Sequence, residues 1–176
     1  MVSGGGTNLQ ALIDAQARGE LKSGRLALVI SSKEGAYALE RAGKAGIPAA
    51  VIPRRAYATQ EDFDRALLAA WEEARIDQDR IINVHPSLIP SFCGAGFYGL
   101  KVHKAALEKG VKVTGATVHI VNEVPDGGRI LLQKAVEVRE GDTPELLQKR
   151  VMEEAEWKLL PQAAELICRE LPPRYQ

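Results

Sequence analysis

The sequence predicts an α/β fold in which a mainly parallel, twisted sheet is flanked by helices. Short apolar runs alternate with segments of helical periodicity through the first half of the chain. The run at residues 26–30 is continuously apolar, as expected for a parallel strand that is covered on both faces. A length of 176 residues suits one core. We therefore expect a single domain over residues 1–170 and an unstructured tail over residues 171–176.

A glycine-rich turn opens the chain and leads into the first predicted helix. Gly5 and Gly6 precede Thr7 and Asn8, either of which can cap that helix. Backbone N–H groups at a helix N-terminus suit a phosphate, particularly where glycines permit close approach. The spacing does not match the dinucleotide-binding pattern G-x-G-x-x-G. The turn is therefore either a phosphate site or an ordinary tight turn.

The rest of the first half continues the alternation of strands and helices. After the strand at residues 26–30, the pattern predicts a helix over 36–45, a strand over 49–52 and a helix over 59–74. Connections this short favour parallel strands that are joined by helices.

Asn83 and His85 lie in the most informative stretch of the chain. Apolar residues alternate with them from Ile81 until Pro86, which predicts a strand that ends in a turn. Period-two geometry puts both side chains on one face of that strand. A carboxamide beside an imidazole can polarise a carbonyl group and move a proton. The alternative is a buried polar pair that is hydrogen-bonded to the next loop.

A loop and two paired strands are predicted to follow. Residues 90–99 combine three glycines with three aromatic residues, which is typical of a shaped, mobile lid. A short helix begins at His103, and strands over residues 113–121 and 130–138 are expected to pair in antiparallel fashion.

Three polar residues of this region are candidate site residues. Thr117 and His119 share one face of the strand at residues 113–121. The turn after that strand presents Asp126, either as a turn residue or as a carboxylate delivered to an active site.

Thr143 and Pro144 then predict the start of a last helix, which Pro161 is expected to interrupt.

Composition excludes several classes of partner. The 23 basic and 23 acidic residues balance, so no overall field favours nucleic acid or a membrane surface. Cys93 and Cys168 are too few for a disulfide framework and lack metal-ligand spacing, so we expect free thiols and no metal. The chain shows no signal-peptide character and no apolar run of membrane-span length. We expect a cytoplasmic protein that acts on small molecules as a monomer or a homodimer.

Four stretches, taken together, resemble the phosphoribosylglycinamide formyltransferase family. They are S-G-G-G-T-N-L-Q at residues 3–10, N-V-H-P-S-L-I-P at 83–90, G-A-T-V-H at 115–119 and P-D-G-G at 125–128. Elements of the second and fourth are shared with methionyl-tRNA formyltransferase and formyltetrahydrofolate deformylase, whereas the glycine-rich opening favours the nucleotide-using family. The resemblance implies a Rossmann-like formyltransferase fold. It also implies transfer of a formyl group from 10-formyltetrahydrofolate to glycinamide ribonucleotide in purine biosynthesis, without a metal.

The resemblance further implies a role for each candidate residue. Asn83 and His85 would be the catalytic pair, with Asp126 acting on the histidine. Thr117 and His119 would support them, although a hydrogen-bonded core histidine is an equal alternative for the latter. The ribonucleotide would contact Gly5, Gly6, Thr7, Asn8, Glu153 and Glu156. The folate would contact Asn83, Asn122, Glu123, Val124, Pro125 and Asp126.

Two departures from the family pattern leave other interpretations open. The pattern would place a strand before Ser3, and a further strand, turn and helix of roughly twenty residues between Asp77 and Arg80. Both strands would be inner strands of the sheet, and the second segment would contact the folate. The alternatives are a related formyltransferase or deformylase, or a non-catalytic remnant that binds a nucleotide.

Overall fold

The computed structural model describes residues 1–73 and 81–170, and the chain divides into two compact units, Met1–Asp77 and Gln78–Gln176. The predicted α/β fold class is confirmed, because strands and helices alternate along the described residues. A single domain over residues 1–170 stays a prediction. The predicted tail at 171–176 and the expected gap between Asp77 and Arg80 lie outside the described residues.

The first unit is organised around a short parallel strand pair. Strand β1 pairs in parallel with β2, and Val2 adds one parallel bridge to Ser31 of β1. The elements in chain order are α1 (Thr7–Ala17), β1 (Val29–Ser31), α2 (Tyr37–Lys44), β2 (Ala49–Val51) and α3 (Gln60–Glu73).

Strand β1 is covered on both faces, as the apolar run at residues 26–30 predicts. Val29 packs in a cluster with Leu9 of α1 and Ala38 of α2. Its neighbour Ile30 packs in a separate cluster with Phe63 of α3. Successive strand residues point to opposite faces, so a strand between two layers of helices needs apolar residues in succession.

The second unit contains a three-stranded sheet in the order β3-β4-β5, with both pairs antiparallel. The predicted antiparallel pairing of the strands near residues 113–121 and 130–138 is confirmed. Among the described residues, parallel pairing between named strands is found in the first unit. The elements are β3 (Ile82–His85), α4 (Leu100–Lys109), β4 (Val113–Ile120), β5 (Ile130–Glu137), α5 (Pro144–Val151), a π-helical turn (Met152–Glu156) and α6 (Trp157–Arg169).

One face of this sheet packs on the C-terminal helices. Ala116 and Val118 of β4 contact a helical stripe in which every fourth residue is apolar, a spacing that places the stripe on one side of the helices. The stripe consists of Leu147, Val151, Ala155, Leu159 and Ala163. The residues that alternate with Ala116 and Val118 point to the opposite face, so that face is left for polar side chains.

Three local predictions are wrong. Helix α4 begins at Leu100 rather than at His103, directly after Gly99. Helix α1 is preceded by Gly6 and has no side-chain cap, so neither Thr7 nor Asn8 caps it. Pro161 lies within α6, and the irregularity comes earlier, in the π-helical turn. Each backbone hydrogen bond in that turn reaches back five residues rather than four. The helical hydrogen-bond pattern therefore changes before Pro161, which has no backbone N–H group to donate.

Candidate active site

Strand register gathers four polar side chains on the face of the sheet opposite the helices. Asn83 pairs directly with His119, and His85 pairs directly with Thr117. Directly paired residues in antiparallel strands have their side chains side by side. Val84 and Val118 form the intervening pair and point into the core. The predicted pair of β3 and the predicted pair of β4 therefore face one another.

A tight turn after β4 brings Asp126 to these side chains. The Asn122 side chain accepts a hydrogen bond from the Val124 N–H group (3.0 Å), and the Gly127 N–H group donates to the Val124 carbonyl (2.9 Å). Asp126 has a φ of 56°, a left-handed conformation that aspartate tolerates. A Cβ atom on Gly128 would lie 1.7 Å from the Ile120 carbonyl oxygen, so only glycine fits there. The last glycine of the D-G-G sequence is thus required by the path of the backbone.

The Asp126 carboxylate lies between the two histidines. Its Oδ2 atom is 3.4 Å from His85 Nδ1, and its Oδ1 atom is 3.5 Å from His119 Nε2. Asn83 Nδ2 is 3.3 Å from the same His119 nitrogen. Both histidines are buried, whereas Asn83 is exposed. We call Asn83, His85, His119 and Asp126 the site cluster.

The two histidines have different hydrogen-bonding environments. His85 Nε2 donates to the Phe92 carbonyl (2.8 Å) while Nδ1 faces the carboxylate, so both ring nitrogens face acceptors. That arrangement is fully satisfied when the ring carries a proton on each nitrogen. His119 Nδ1 donates to the Ile120 carbonyl (2.9 Å), and its Nε2 lies near both the Asn83 amide nitrogen (3.3 Å) and Asp126 Oδ1 (3.5 Å). His119 thus links Asn83 to Asp126 through one ring nitrogen.

The loop at residues 90–99 is tied to the site cluster by main-chain atoms. The Gly94 N–H group donates to Asp126 Oδ2 (2.8 Å), and the Phe92 carbonyl is the acceptor for His85. The sequence identified this loop but could not reveal these contacts, because they use backbone groups rather than side chains. Cys93 in the same loop is a free thiol whose pKa is raised, first by burial and then by the charge of Asp126.

Thr117 holds the turn that follows His85. Its hydroxyl donates to the Ser87 carbonyl (2.7 Å) and accepts from the Ile89 N–H group (3.1 Å). Gln133 of β5, which sequence reasoning missed, donates to the same hydroxyl (2.9 Å). The sequence does contain a sign of this residue, because Gln133 is a polar residue that interrupts the apolar run beginning at Ile130.

His103 is a second buried group that sequence reasoning did not single out. It is 0% exposed, and neither ring nitrogen has a hydrogen-bond partner. Burial, and secondarily the charge of His85, lowers the pKa of His103 from 6.5 to about 4. Its ring is therefore neutral at physiological pH.

The glycine turn at residues 4–8 belongs to the first unit and is held by α2. The Ala38 N–H group donates to the Gly4 carbonyl (3.1 Å), and Arg41 Nε donates to the Gly5 carbonyl (2.8 Å). Gly6 has a φ of 69°, and a Cβ atom there would lie 2.6 Å from Ala38 Cβ. The first N–H groups of a helix lack acceptors within it, and no side chain caps α1. The turn thus has the chemistry of an anion site.

The remaining predicted contact residues lie in two places of the second unit. Glu156 is buried in the π-helical turn, a feature often found at functional sites. Glu153 is exposed and lies 3.8 Å from Lys149. The predicted folate contacts Asn122, Glu123, Val124 and Pro125 are all exposed on the turn before Asp126.

The residues that the structure describes contain no group of three or more His, Cys, Asp or Glu residues that could hold a metal ion. No helix within residues 1–73 or 81–170 is long and apolar enough to cross a membrane.

The chain is similar to known proteins over nearly its whole length. It is 40% identical to the human trifunctional purine biosynthetic protein adenosine-3 over 187 residues, covering 96% of this chain and 18% of that protein. It is 38% identical to the chloroplastic phosphoribosylglycinamide formyltransferase of Arabidopsis thaliana, covering 96% and 64%. The structure of glycinamide ribonucleotide transformylase 1 from Symbiobacterium toebii superposes with a TM-score of 0.86 at 38% identity, covering 98% and 90%. The chain thus spans only part of these curated relatives.

The alignments also bear on the expected gap near residue 78. The 96% of this 176-residue chain that aligns with the human protein is about 169 residues, so about eighteen of the 187 aligned positions have no counterpart here. The profile of the formyl transferase family matches in two segments, residues 1–78 and 75–164, which meet at that place. These segments include the glycine turn, both histidines of the site cluster and the D-G-G turn. The chain therefore belongs to the formyl transferase family.

Proposed function

We propose that this chain transfers a formyl group from 10-formyltetrahydrofolate to the amine of glycinamide ribonucleotide, a step of purine biosynthesis. The observation that carries the proposal is that the side chains of His85, Asp126 and Asn83 lie together. Asp126 is 3.4 Å from His85 and 3.5 Å from His119, and Asn83 is 3.3 Å from His119. A glycine turn suited to a phosphate supports a ribonucleotide as the acceptor.

Asn83 and His85 supply the hydrogen-bond donors of the proposed reaction. Attack by the substrate amine on the formyl carbon turns the formyl oxygen into an oxyanion. The exposed Asn83 amide donates one N–H group to that oxygen while its other N–H group stays on His119. His85 Nε2, which the Phe92 carbonyl holds in place at 2.8 Å, shares its hydrogen with the same oxygen. Loss of one such donor raises the barrier by about 3–4 kcal/mol in other acyl-transfer enzymes.

Asp126 positions His85 and takes part in proton transfer. Its carboxylate lies 3.4 Å from Nδ1 and fixes the orientation of the ring, so Nε2 stays directed at the reacting oxygen. A proton must also pass from the attacking amine to the leaving nitrogen of the folate. Asp126, which is 14% exposed, can relay that proton together with a water molecule.

The proposal assigns the two ligands to separate groups of residues. Phosphate binds the backbone N–H groups of Gly5, Gly6, Thr7 and Asn8 together with the Thr7 hydroxyl, and the ribose contacts Glu153 and Glu156. The folate head group contacts the exposed turn before Asp126. Thr117 and His119 hold the catalytic residues. We place the protein in the cytoplasm, acting on small molecules as a monomer or a homodimer.

The test combines an activity assay with separate binding measurements. The purified chain is incubated with 10-formyltetrahydrofolate, with and without glycinamide ribonucleotide, and tetrahydrofolate formation is followed. We expect turnover only when both substrates are present, and calorimetry should detect binding of each ligand. Turnover without the ribonucleotide would identify a deformylase. Ribonucleotide binding without folate binding or turnover would identify a non-catalytic remnant, and either result would overturn the proposal.

A further inference from the structure

Gln133 lies opposite Thr117 in the β4–β5 pair, and its side-chain amide makes two contacts. Nε2 is 2.9 Å from Thr117 Oγ1 and 3.0 Å from the Ile89 carbonyl oxygen. An amide nitrogen carries two hydrogens, so both contacts can be made at once. Gln133 therefore joins the edge strand to the turn after β3.

Thr117 uses its whole hydrogen-bonding capacity in this network. Its hydroxyl donates to the Ser87 carbonyl and accepts from the Ile89 N–H group and from Gln133. A hydroxyl has one hydrogen and two lone pairs, so no capacity remains. Thr117 is 0% exposed, and loss of the amide would leave a buried lone pair without a partner. Two side chains thus fix three backbone groups of residues 87–89.

The same turn carries the hydrogen-bond acceptor of His85. Ser87 is fully buried, and its hydroxyl donates to the Ser91 carbonyl, with the Phe92 carbonyl 3.5 Å away. The Phe92 carbonyl in turn accepts from His85 Nε2 at 2.8 Å. A displacement of residues 87–89 therefore moves the atom that orients the imidazole.

We propose that Gln133 is a positioning residue for His85, acting through Thr117 and the turn at residues 87–92. Gln133 is exposed on a strand position where an apolar side chain of equal length can pack, so strand formation does not require an amide there. What the amide adds is the pair of donors that hold Thr117 and Ile89. The kinetic consequence rests on the proposed formyl transfer, whereas the effect on the His85 ring does not.

The test replaces the amide without changing its length. Gln133→Met removes both donors, and Gln162→Met makes the same change at an exposed position of α6 as a control. We expect Gln133→Met to lower kcat by about 10- to 100-fold, the scale of a small misplacement of a catalytic group, with both KM values within about twofold. Thr117→Val should lower kcat similarly, and Thr117→Ser should retain more of it. The two losses should not add in the double variant.

Nuclear magnetic resonance of the imidazole rings provides a reading independent of turnover. The chain has three histidines, so the ring ¹H–¹⁵N signals can be assigned with single variants. Gln133→Met should shift the His85 signals, and Gln162→Met should leave them unchanged. If the wild-type protein shows no formyl transfer but Gln133→Met still shifts the His85 signals, the positioning role is supported and the proposed function fails. Unchanged His85 signals, or a lower unfolding midpoint with unchanged kcat, would overturn the inference.

Discussion

The glycine turn of the first unit and the site cluster of the second are built from different parts of the chain. The turn presents main-chain groups, and its shape depends on Gly6 and on two contacts from α2 to its carbonyls. The site cluster presents side chains, which strand register places side by side. A main-chain site should therefore be sensitive to backbone shape, and a side-chain site to functional groups and to protonation.

The largest effect is expected from removing functional groups of the site cluster. His85→Ala and Asp126→Ala should each lower kcat by at least about 100-fold, because each removes or misdirects a donor to the oxyanion. Affinity for the ribonucleotide, measured by calorimetry, should stay nearly unchanged. The two losses should be less than additive, since part of the effect of the carboxylate passes through the imidazole.

Gln162→Met, outside the site cluster, serves as the control for this pair. A fully active His85→Ala variant would contradict the side-chain assignment. Fully additive losses would show that Asp126 acts only through proton transfer and does not position His85.

The sequence predicted the parts of the molecule that depend on local periodicity. Alternation placed Asn83 and His85 on one strand face, and Thr117 and His119 on another. It could not give the register that sets Asn83 against His119, because register depends on contacts between distant segments. The continuous apolar run likewise predicted a doubly covered strand, although β1 begins three residues later than that run.

Other features were beyond the sequence for different physical reasons. The Phe92 carbonyl and the Gly94 N–H group are main-chain atoms that every residue possesses, so their contacts leave no sequence signal. The solvent-free position of His103 depends on how α4 packs, and a lone histidine in a helical pattern does not reveal it. The π-helical turn around Glu156 also has no composition that distinguishes it from an α-helix.

Acid should lower the free energy of unfolding by protonating His103, which lies in the second unit. Its pKa falls from 6.5 in an exposed setting to about 4 in the fold, so the folded state binds this proton less readily than the unfolded state. The stabilising effect of the neutral ring is complete above about pH 6.5 and is lost as the pH falls toward 4. The loss amounts to about 3 kcal/mol in the free energy of unfolding.

His103→Leu should remove this acid sensitivity, because it leaves no group to protonate and no hydrogen bond to lose. Urea unfolding of both proteins between pH 7 and pH 4.2 measures the difference. Asp142, whose pKa is lowered from 3.8 chiefly by its hydrogen bond with Arg150, loses its stabilising charge only below this range. An equal acid dependence in the two proteins would contradict the assignment to His103.

A change of backbone shape should affect the glycine turn more than the site cluster. Gly6→Val forces a β-branched residue to a φ of 69° and brings its Cβ against Ala38. Strain of this kind costs about 2 kcal/mol. We therefore expect the KM for the ribonucleotide to rise about 10- to 30-fold by the usual relation of affinity to free energy, with the KM for the folate little changed.

Gly4→Ala is the matched control, since a Cβ atom at Gly4 meets nothing within 4 Å. Equal effects of Gly6→Val on both KM values would show that the turn does not recognise the ribonucleotide separately.

The smallest effect compares the first turns of two helices. Helix α5 is capped by Thr143, whose hydroxyl accepts from the Leu146 N–H group at 3.3 Å, whereas α1 has no side-chain cap. Thr143→Ala should lower the free energy of unfolding by about 1 kcal/mol. Thr7→Ala removes no cap and should leave stability without ligand within about 0.5 kcal/mol of wild type.

Urea unfolding with and without added inorganic phosphate separates the two cases. Phosphate should stabilise the wild-type protein, because a ligand that binds only the folded state raises the free energy of unfolding. Thr7→Ala should reduce that increment because it removes the Thr7 hydroxyl from the proposed phosphate site, while Thr143→Ala, at the start of α5, should leave it intact. The contrary result is that Thr7→Ala destabilises the ligand-free protein as much as Thr143→Ala does. That result would show that the Thr7 side chain caps α1, so the first N–H groups of α1 would not be free for phosphate.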